Sequence, residues 1–324
     1  MSRYPTSRNF GYGKQITWAG HQALRDYYGQ GHFATVQAHF LRWRQFCRWL
    51  CDFHDIRDAR DVEQAHLDTY ADLLRQRVAE ESMEVAYAQN LLSSANTTIK
   101  ALCGATSLRI DSPSDWVGER HTARRSPPTG VDWNQVEVAL ADIREEGLLR
   151  AACVVELARS FGLRLREAIL GDIDRWSREA KEKNAIDIRE GTKGGRGNEV
   201  ERWVPVSEKG LRALFTATEV RSQLGCGANL LHPNENYDGL VNDGEINRAR
   251  RHLHRHGIKG YHDLRAAWAC ERYEQLAGLP APVLNPPRKI TYNGYYKTTE
   301  TLAKEMGHDR QDVLAAYVGP ARLW

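Results

Sequence analysis

The chain has no run of the roughly 18 consecutive apolar residues that a membrane-spanning helix needs, and its mean hydropathy is −0.60. No membrane function is expected. Its six cysteines (Cys47, Cys51, Cys103, Cys153, Cys226 and Cys270) form no CxxC pair and no Cys/His cluster at zinc spacing, which predicts reduced structural thiols and excludes a disulfide framework or a zinc ribbon. There is no Walker A motif and no acidic metal cluster, so neither ATP, metal nor any other cofactor is called for. The opening residues MSRYPTSRNFGYGKQITW carry Arg3, Arg8 and Lys14 but no apolar segment before a small-residue cleavage site. No secretory signal is read there, and a cytoplasmic location is expected. Internal repeats and low-complexity tracts are missing as well.

What is present is 324 residues, 41% hydrophobic and 27% charged, enough for two domains with sizeable cores. The net charge of +3 names no partner, but its distribution is uneven. Residues 1–50 hold seven Lys/Arg against one acid, and residues 51–100 hold five against ten. A second basic stretch, Arg248 to Arg265, carries six Lys/Arg and four His against Asp263 alone. Two basic regions, the first interleaved with Trp43 and Trp49, point to a polyanion. Charge alone favours the blander reading of a solvated face. His252, His254 and His256 invite a metal reading, but alternate residues on a helix do not share a face, so phosphate contact or solvation is expected there.

Phe33, Val36, Phe40, Trp43, Cys47 and Leu50 recur at steps of three and four, one helical stripe, with Arg42, Arg44 and Arg48 off it. Further helical patterns run through 61–78 and 82–103. Residues 1–119 therefore read as a small helical N-terminal domain. Residues 120–130 (RHTARRSPPTG), with Arg120, Arg124 and Arg125, two adjacent prolines and a glycine, read as a linker. Residues 131–324 form the second domain. Its helices are expected at 131–146, 148–160, 207–222, 243–256, 261–277 and 298–305, with a short one near 309–317. Ile186 and Ile188 alternate with polar residues, GTKGGRGN supplies turn chemistry, and Val200, Trp203, Val204 and Val206 resume a strand, so a β-hairpin is predicted. Residues 279–297, proline-rich and then aromatic and basic, read as a loop or small hairpin. The fold class is mainly α with a small β-sheet.

In the second domain Gly-Leu-Arg-Leu-Arg-Glu stands at 162–167, Thr-Lys-Gly-Gly-Arg at 192–196, His-Asp-Leu-Arg at 262–265, Gly-His at 307–308, and Tyr317 nine residues later. Each piece alone has a dull explanation, such as an i, i+3 ion pair, a solvated hairpin tip or a core tyrosine. In this order they resemble the tyrosine recombinase (phage integrase) family. The resemblance covers about 131–324 through its motifs, and the N-terminal part resembles the family's core-binding domain in architecture and position only. It implies that Arg164, Lys193, His262, Arg265, His308 and Tyr317 are catalytic, Tyr317 being the nucleophile, and that Glu167 orients Arg164. It also implies a fold of helical core-binding domain plus mixed α/β catalytic domain, clamped around duplex DNA. Four protomers on two DNA sites are implied, with room for accessory DNA-bending proteins. Arg42, Arg44, Arg48, Arg124, Arg125, Arg250 and Arg251 are the expected DNA contacts.

The chemistry suits these residue types. A phosphodiester gains negative charge on its non-bridging oxygens as a nucleophile adds, and arginine forks meet those oxygens with a permanent charge. A tyrosine hydroxyl, with a pKa of ~10, needs a proton acceptor, for which His262 stands ready, while Lys193 can protonate the leaving 5′ oxygen. The implied activity is site-specific recombination through a 3′-phosphotyrosine, as in mobile-element integrases. The alternatives are type IB topoisomerase-like relaxation and a catalytically silent DNA-binding regulator of the same fold. Three features depart from the family pattern: Arg166 where a small hydroxyl residue is usual, a long stretch between Arg265 and His308, and only seven residues after Tyr317.

Overall fold

The computed structural model describes residues 6–285 and 292–320, with the side chains of Arg196, Asn198, Asp243, Tyr292 and Asn293 left aside. The chain divides into two compact units, Met1–His121 and Thr122–Trp324. It is mainly helical with one small sheet, as the sequence predicts.

The first unit contains α1 (Ile16–Tyr28), α2 (Phe33–His54), α3 (Gln64–Ala79), α4 (Val85–Cys103) and the short α5 (Pro113–Val117). The predicted stripe of α2 turns Val36, Trp43, Cys47 and Leu50 into the core. Trp43 also fixes the approach of α1: its indole Nε1 donates to Ile16 O at 3.2 Å, and a Cβ on Gly20 would come within 2.1 Å of the ring. Only glycine lets these two helices close.

The second unit is built around α7 (Leu149–Phe161), buried along nearly its whole length. Against it pack α6 (Trp133–Glu145), α8 (Leu165–Leu170), α10 (Glu208–Gln223), α11 (Glu245–Arg255) and α12 (Tyr261–Ala277). Burial on all sides explains why α7 reads as Ala, Val, Leu and Phe rather than as an amphipathic stripe. Its two buried arginines are both spoken for. Arg150 bonds to Glu235 and Glu245, and Arg159 bonds to Glu271 and to the carbonyls of Gly130 and Val131.

Helix α9 (Ile173–Lys183) precedes the sheet, capped by Asp172, whose side chain accepts from Arg175 N at 2.9 Å. Strands β1 (Ala185–Asp187) and β2 (Trp203–Pro205) pair antiparallel with Ile186 opposite Val204. The hairpin is therefore present, but its strands are three residues each and residues 188–202 make a long connection rather than a tight turn. The chain ends with α13 (Tyr292–Glu305) and the four-residue α14 (Ala315–Val318).

Three sequence expectations change. Helix α13 starts at Tyr292 rather than 298, so 292–297 is helix and not loop; Tyr295 packs on Tyr273, and that tertiary contact overrides the turn-like Asn293-Gly294 pair. The rest of the expected insertion, 286–291, lies outside the described residues. Residues 122–130, expected as linker, are bonded into the second unit, with Arg124 N donating to Ala315 O and Thr129 N to Asp263 Oδ2. Finally, the histidines of α11 meet carboxylates on and just after α6: His252 pairs with Glu146, and His256 with Asp142 at 2.7 Å. Arg248 shares Glu146, so part of this basic stretch is paired inside the protein.

Candidate active site

The left-handed turn after α7 starts the site. Gly162 has φ +62, and a Cβ there would sit 2.2 Å from the Trp268 ring, so the chain can turn tightly against α12 only with glycine. Two residues on, Arg164 is extended and opens α8. Glu167, in the first turn of α8, reaches back to accept from Arg164 N at 2.8 Å, as the acid of a capping box does. Its other oxygen takes Arg164 Nη1 at 2.6 Å.

Glu167 is fully buried and serves three guanidinium groups. Arg202 Nη1 lies 2.9 Å from Oε1, and Arg265 Nη1 lies 3.7 Å from Oε2. Burial alone would raise the carboxyl's pKa, but Arg202, Arg265 and Arg164 overcome that and hold it at about 2. Arg265 is itself pulled down to about 10, first by burial and then by Arg202. It is anchored by Gly162 O and, at 2.5 Å, by Met306 O.

Arg202 did not emerge from the sequence. It is 5% exposed, its Nε donates to Glu305 O at 2.7 Å, and its Nη1 and Nη2 lack a hydrogen bond of good geometry despite the short ion pair to Glu167. A signal was available: Arg202 stands two residues before buried Val204, so strand alternation puts its charge on the apolar face.

Tyr317, on α14, is 7% exposed and stands between two imidazoles, with ring centroids 5.2 Å from His262 and 5.6 Å from His308. The Arg265 guanidinium lies 5.6 Å from the centre of its ring. Burial, then Arg265 and Arg124, lower the His262 pKa below its ordinary value. Burial, then Arg265, Arg164 and Arg202, bring His308 down to about 4, and its Nε2 is buried without a partner. His308 is therefore a neutral imidazole at pH 7.

A cleft of about 820 Å³ is lined by Arg164, Lys193, Arg202, His308 and Tyr317. Lys193 is exposed, in the irregular turn after β1. Gly191 brings that turn in: at φ +71, a Cβ would lie 2.5 Å from Arg166 O, so the lysine's loop rests on the backbone of α8. A smaller cleft that Arg164 also borders is lined by Arg250, Lys259, His262 and Arg265. All six residues expected to be catalytic thus fall in one region of the second unit.

The expected DNA contacts are placed variously. Arg44 and Arg48 are exposed on α2 and, with Arg77, line a cleft beside Trp49 and Tyr70, while Arg42 is half-buried. Arg251 is exposed on α11, and Arg250 is half-buried against Asn247 and the Tyr261 ring. Arg125 is exposed. Arg124 is turned inward onto Asp263. Among the described residues no group of three or more His, Cys, Asp or Glu could hold a metal ion, and no helix is long and apolar enough to cross a membrane.

The arginine cluster, its shared glutamate and the enclosed tyrosine come together in the second unit. Residues 130–271 match the integrase family; the matched segment contains Arg164, Glu167, Lys193, Arg202, His262 and Arg265 and ends ahead of His308 and Tyr317. In fold the chain is similar to a lambda integrase dimer bound to a COC′ core site, with a TM-score of 0.55 at 15% identity, over 94% of this chain and 95% of that one. A lambda integrase tetramer bound to a Holliday junction gives 0.55 at 16% identity, over 94% and 77%. No curated protein matches the sequence.

Proposed function

We propose that the protein is a site-specific DNA recombinase that cuts and rejoins duplex DNA through a covalent 3′-phosphotyrosine at Tyr317. The observation that carries this reading is the charge of the site: three guanidinium groups are gathered around one carboxylate at the wall of an open cleft that also holds a tyrosine. A buried excess of positive charge is costly unless an anion completes it, and a phosphodiester is an anion of matching geometry.

In the cleavage step Tyr317 Oη attacks the phosphorus, the bond to the 5′ oxygen breaks, and the phosphate remains as a tyrosyl ester. His262, neutral at pH 7, accepts the phenolic proton. Lys193 supplies a proton to the departing 5′ oxygen. Arg164 and Arg265 meet the non-bridging oxygens, with the neutral His308 as a further donor. Proton transfer of this kind contributes ~10²–10⁴-fold to a rate. Reversal by the 5′ hydroxyl of a second strand joins the exchanged ends, so the energy of the original bond is kept in the ester. Duplex DNA is the proposed partner, and four copies on two sites the proposed assembly, by analogy with the lambda integrase complexes.

The test is a nicked suicide duplex whose 5′-hydroxyl fragment diffuses away after cleavage. The protein should remain attached to the 3′ phosphate and run as a slower band on a denaturing gel. Joining of two separate duplexes then distinguishes recombination from relaxation of a single supercoiled circle. Failure to form any adduct would favour the silent DNA-binding regulator.

A further inference from the structure

Residues 124–129 of the second unit are bonded to the immediate neighbours of both residues on which the proposed nucleophilic step depends. Arg124 N donates to Ala315 O at 2.8 Å, Arg124 Nε donates to Ala316 O at 3.3 Å, and Arg124 Nη2 donates to Asp263 Oδ1 at 2.7 Å. Ala315 and Ala316 are the first two residues of α14 and immediately precede Tyr317. Asp263 immediately follows His262 in the first turn of α12. Its second oxygen accepts from Thr129 N at 2.7 Å and from Thr129 Oγ1, and that hydroxyl accepts from Lys259 N at 2.8 Å.

Residues 124–129 therefore form a strap with one end on the tyrosine's helix and the other at the start of the histidine's. The strap has work to do. Helix α14 has four residues, far below the ~12–15 at which an isolated helix becomes even marginal in water, so its place depends on tertiary ties. The Arg124 side chain is 14% exposed and that of Asp263 9%, which strengthens their ion pair relative to a surface one. Arg124 was expected to contact phosphate, but its Nε and Nη2 are engaged inside the protein.

We propose that Arg124 is a positioning residue, which through Ala315, Ala316 and Asp263 sets Tyr317 against His262 and makes nucleophile placement depend on the segment joining the two units. The proposal rests on the reading of Tyr317 as nucleophile, and its test has one arm that does not.

Arg124→Gln, Arg124→Lys and Asp263→Asn are compared on a nicked duplex selected from a random-sequence library by covalent capture on wild-type protein. At saturating DNA, Arg124→Gln should lower the first-order rate of adduct formation at least tenfold. The DNA dissociation constant and its salt dependence should stay unchanged. Arg124→Lys, which can keep the Asp263 pair but loses the Nε bond to Ala316 O, should recover part of the rate. Arg124→Gln combined with Asp263→Asn should lose less than the product of the single effects, because both break one connection. An unaltered rate with a log K versus log[salt] slope smaller by about one would make Arg124 a phosphate contact and overturn the proposal.

The independent arm is amide hydrogen exchange of the DNA-free protein. Arg124→Gln should speed exchange at Gly319, whose N–H is bonded to Ala315 O, and in the first turn of α12, with the rest of the second unit unchanged. Unchanged exchange at Gly319, or a uniform rise across the unit, would sink the strap. Should wild-type protein capture no DNA, the recombinase reading fails while this arm still decides the strap.

Discussion

Arg202 Nη1 stands 2.9 Å from Glu167 Oε1, the same oxygen that Arg164 Nη1 holds at 2.6 Å. One buried carboxylate is the common counter-ion of two arginines that belong to different elements, and through its second oxygen it faces Arg265 as well. Without it three guanidinium groups would repel one another in a region of low polarity.

Glu167→Gln should therefore destabilise the second unit by about 3–5 kcal/mol, the usual cost of leaving a buried charge unpaired, seen as a lower midpoint in urea or thermal unfolding. Adding Arg202→Met should cost less than it does in the wild-type background, because the charge it removes is by then unpaired. Strict additivity would mean that the two side chains do not interact.

Tyr317→Phe removes one oxygen and keeps the ring between the two imidazoles. Folding and DNA affinity should persist, with at most ~1–3 kcal/mol lost if a buried hydrogen bond goes. The covalent band should vanish; an adduct of undiminished yield would move the nucleophile elsewhere in the chain.

The pKa of His308, about 4 in the fold against 6.5 unperturbed, sets a sign for acid sensitivity. Between those values the unfolded chain binds a proton that the native protein does not, so stability should fall as pH drops from 6.5 toward 4. As pH falls from 6.5 toward 4, wild type should lose more stability than His308→Gln, which lacks the titrating group; parallel curves would contradict the shift.

Within α11 the arginines should separate by partner. Arg248 is held by Glu146, whereas Arg251 is exposed and Arg250 borders the smaller cleft. Replacing Arg250 and Arg251 by Ala should reduce the magnitude of the log K versus log[salt] slope by roughly one to two, at ~0.9 per phosphate contact, and Arg248→Ala should change it little. Equal effects of all three would show that the pair with Glu146 opens on DNA.

Gly191→Ala places a Cβ 2.5 Å from Arg166 O at a φ of +71. The loop must lift from α8 and carry Lys193 with it. Thermal stability should fall modestly, while the cleavage rate at saturating DNA falls at least tenfold, as for loss of a general acid. A 5′-phosphorothiolate substrate, whose sulfur leaves without a proton, should restore most of the rate; no rescue would remove Lys193 from that role.

The class of fold was legible in the chain before any coordinate. The three-and-four spacing from Phe33 to Leu50 appears as α2, and Ile186 and Val204 pair across the sheet as the alternation around GTKGGRGN implies. Elements with few apolar residues were not legible: α9 buries little beyond Ile173, Trp176 and Ala180, and α8 is only six residues long. Periodicity needs several turns of contrast between faces, and these helices offer too few.

The sequence by itself determined the order and spacing of Arg164, Lys193, His262, Arg265, His308 and Tyr317, because residue type and position are written along the chain whatever its packing. Tertiary structure alone decided that Arg202 would join them, that Glu167 would serve three arginines, and that Arg124 would turn inward to Asp263 instead of outward. A charged side chain is read from sequence as solvated or functional; whether its partner lies 35 residues away, as Glu167 does from Arg202, or 139, as Asp263 does from Arg124, depends on how the helices pack. Burial and the long-range ion pairs that make it tolerable are properties of the packed chain, and no local pattern of residues encodes them.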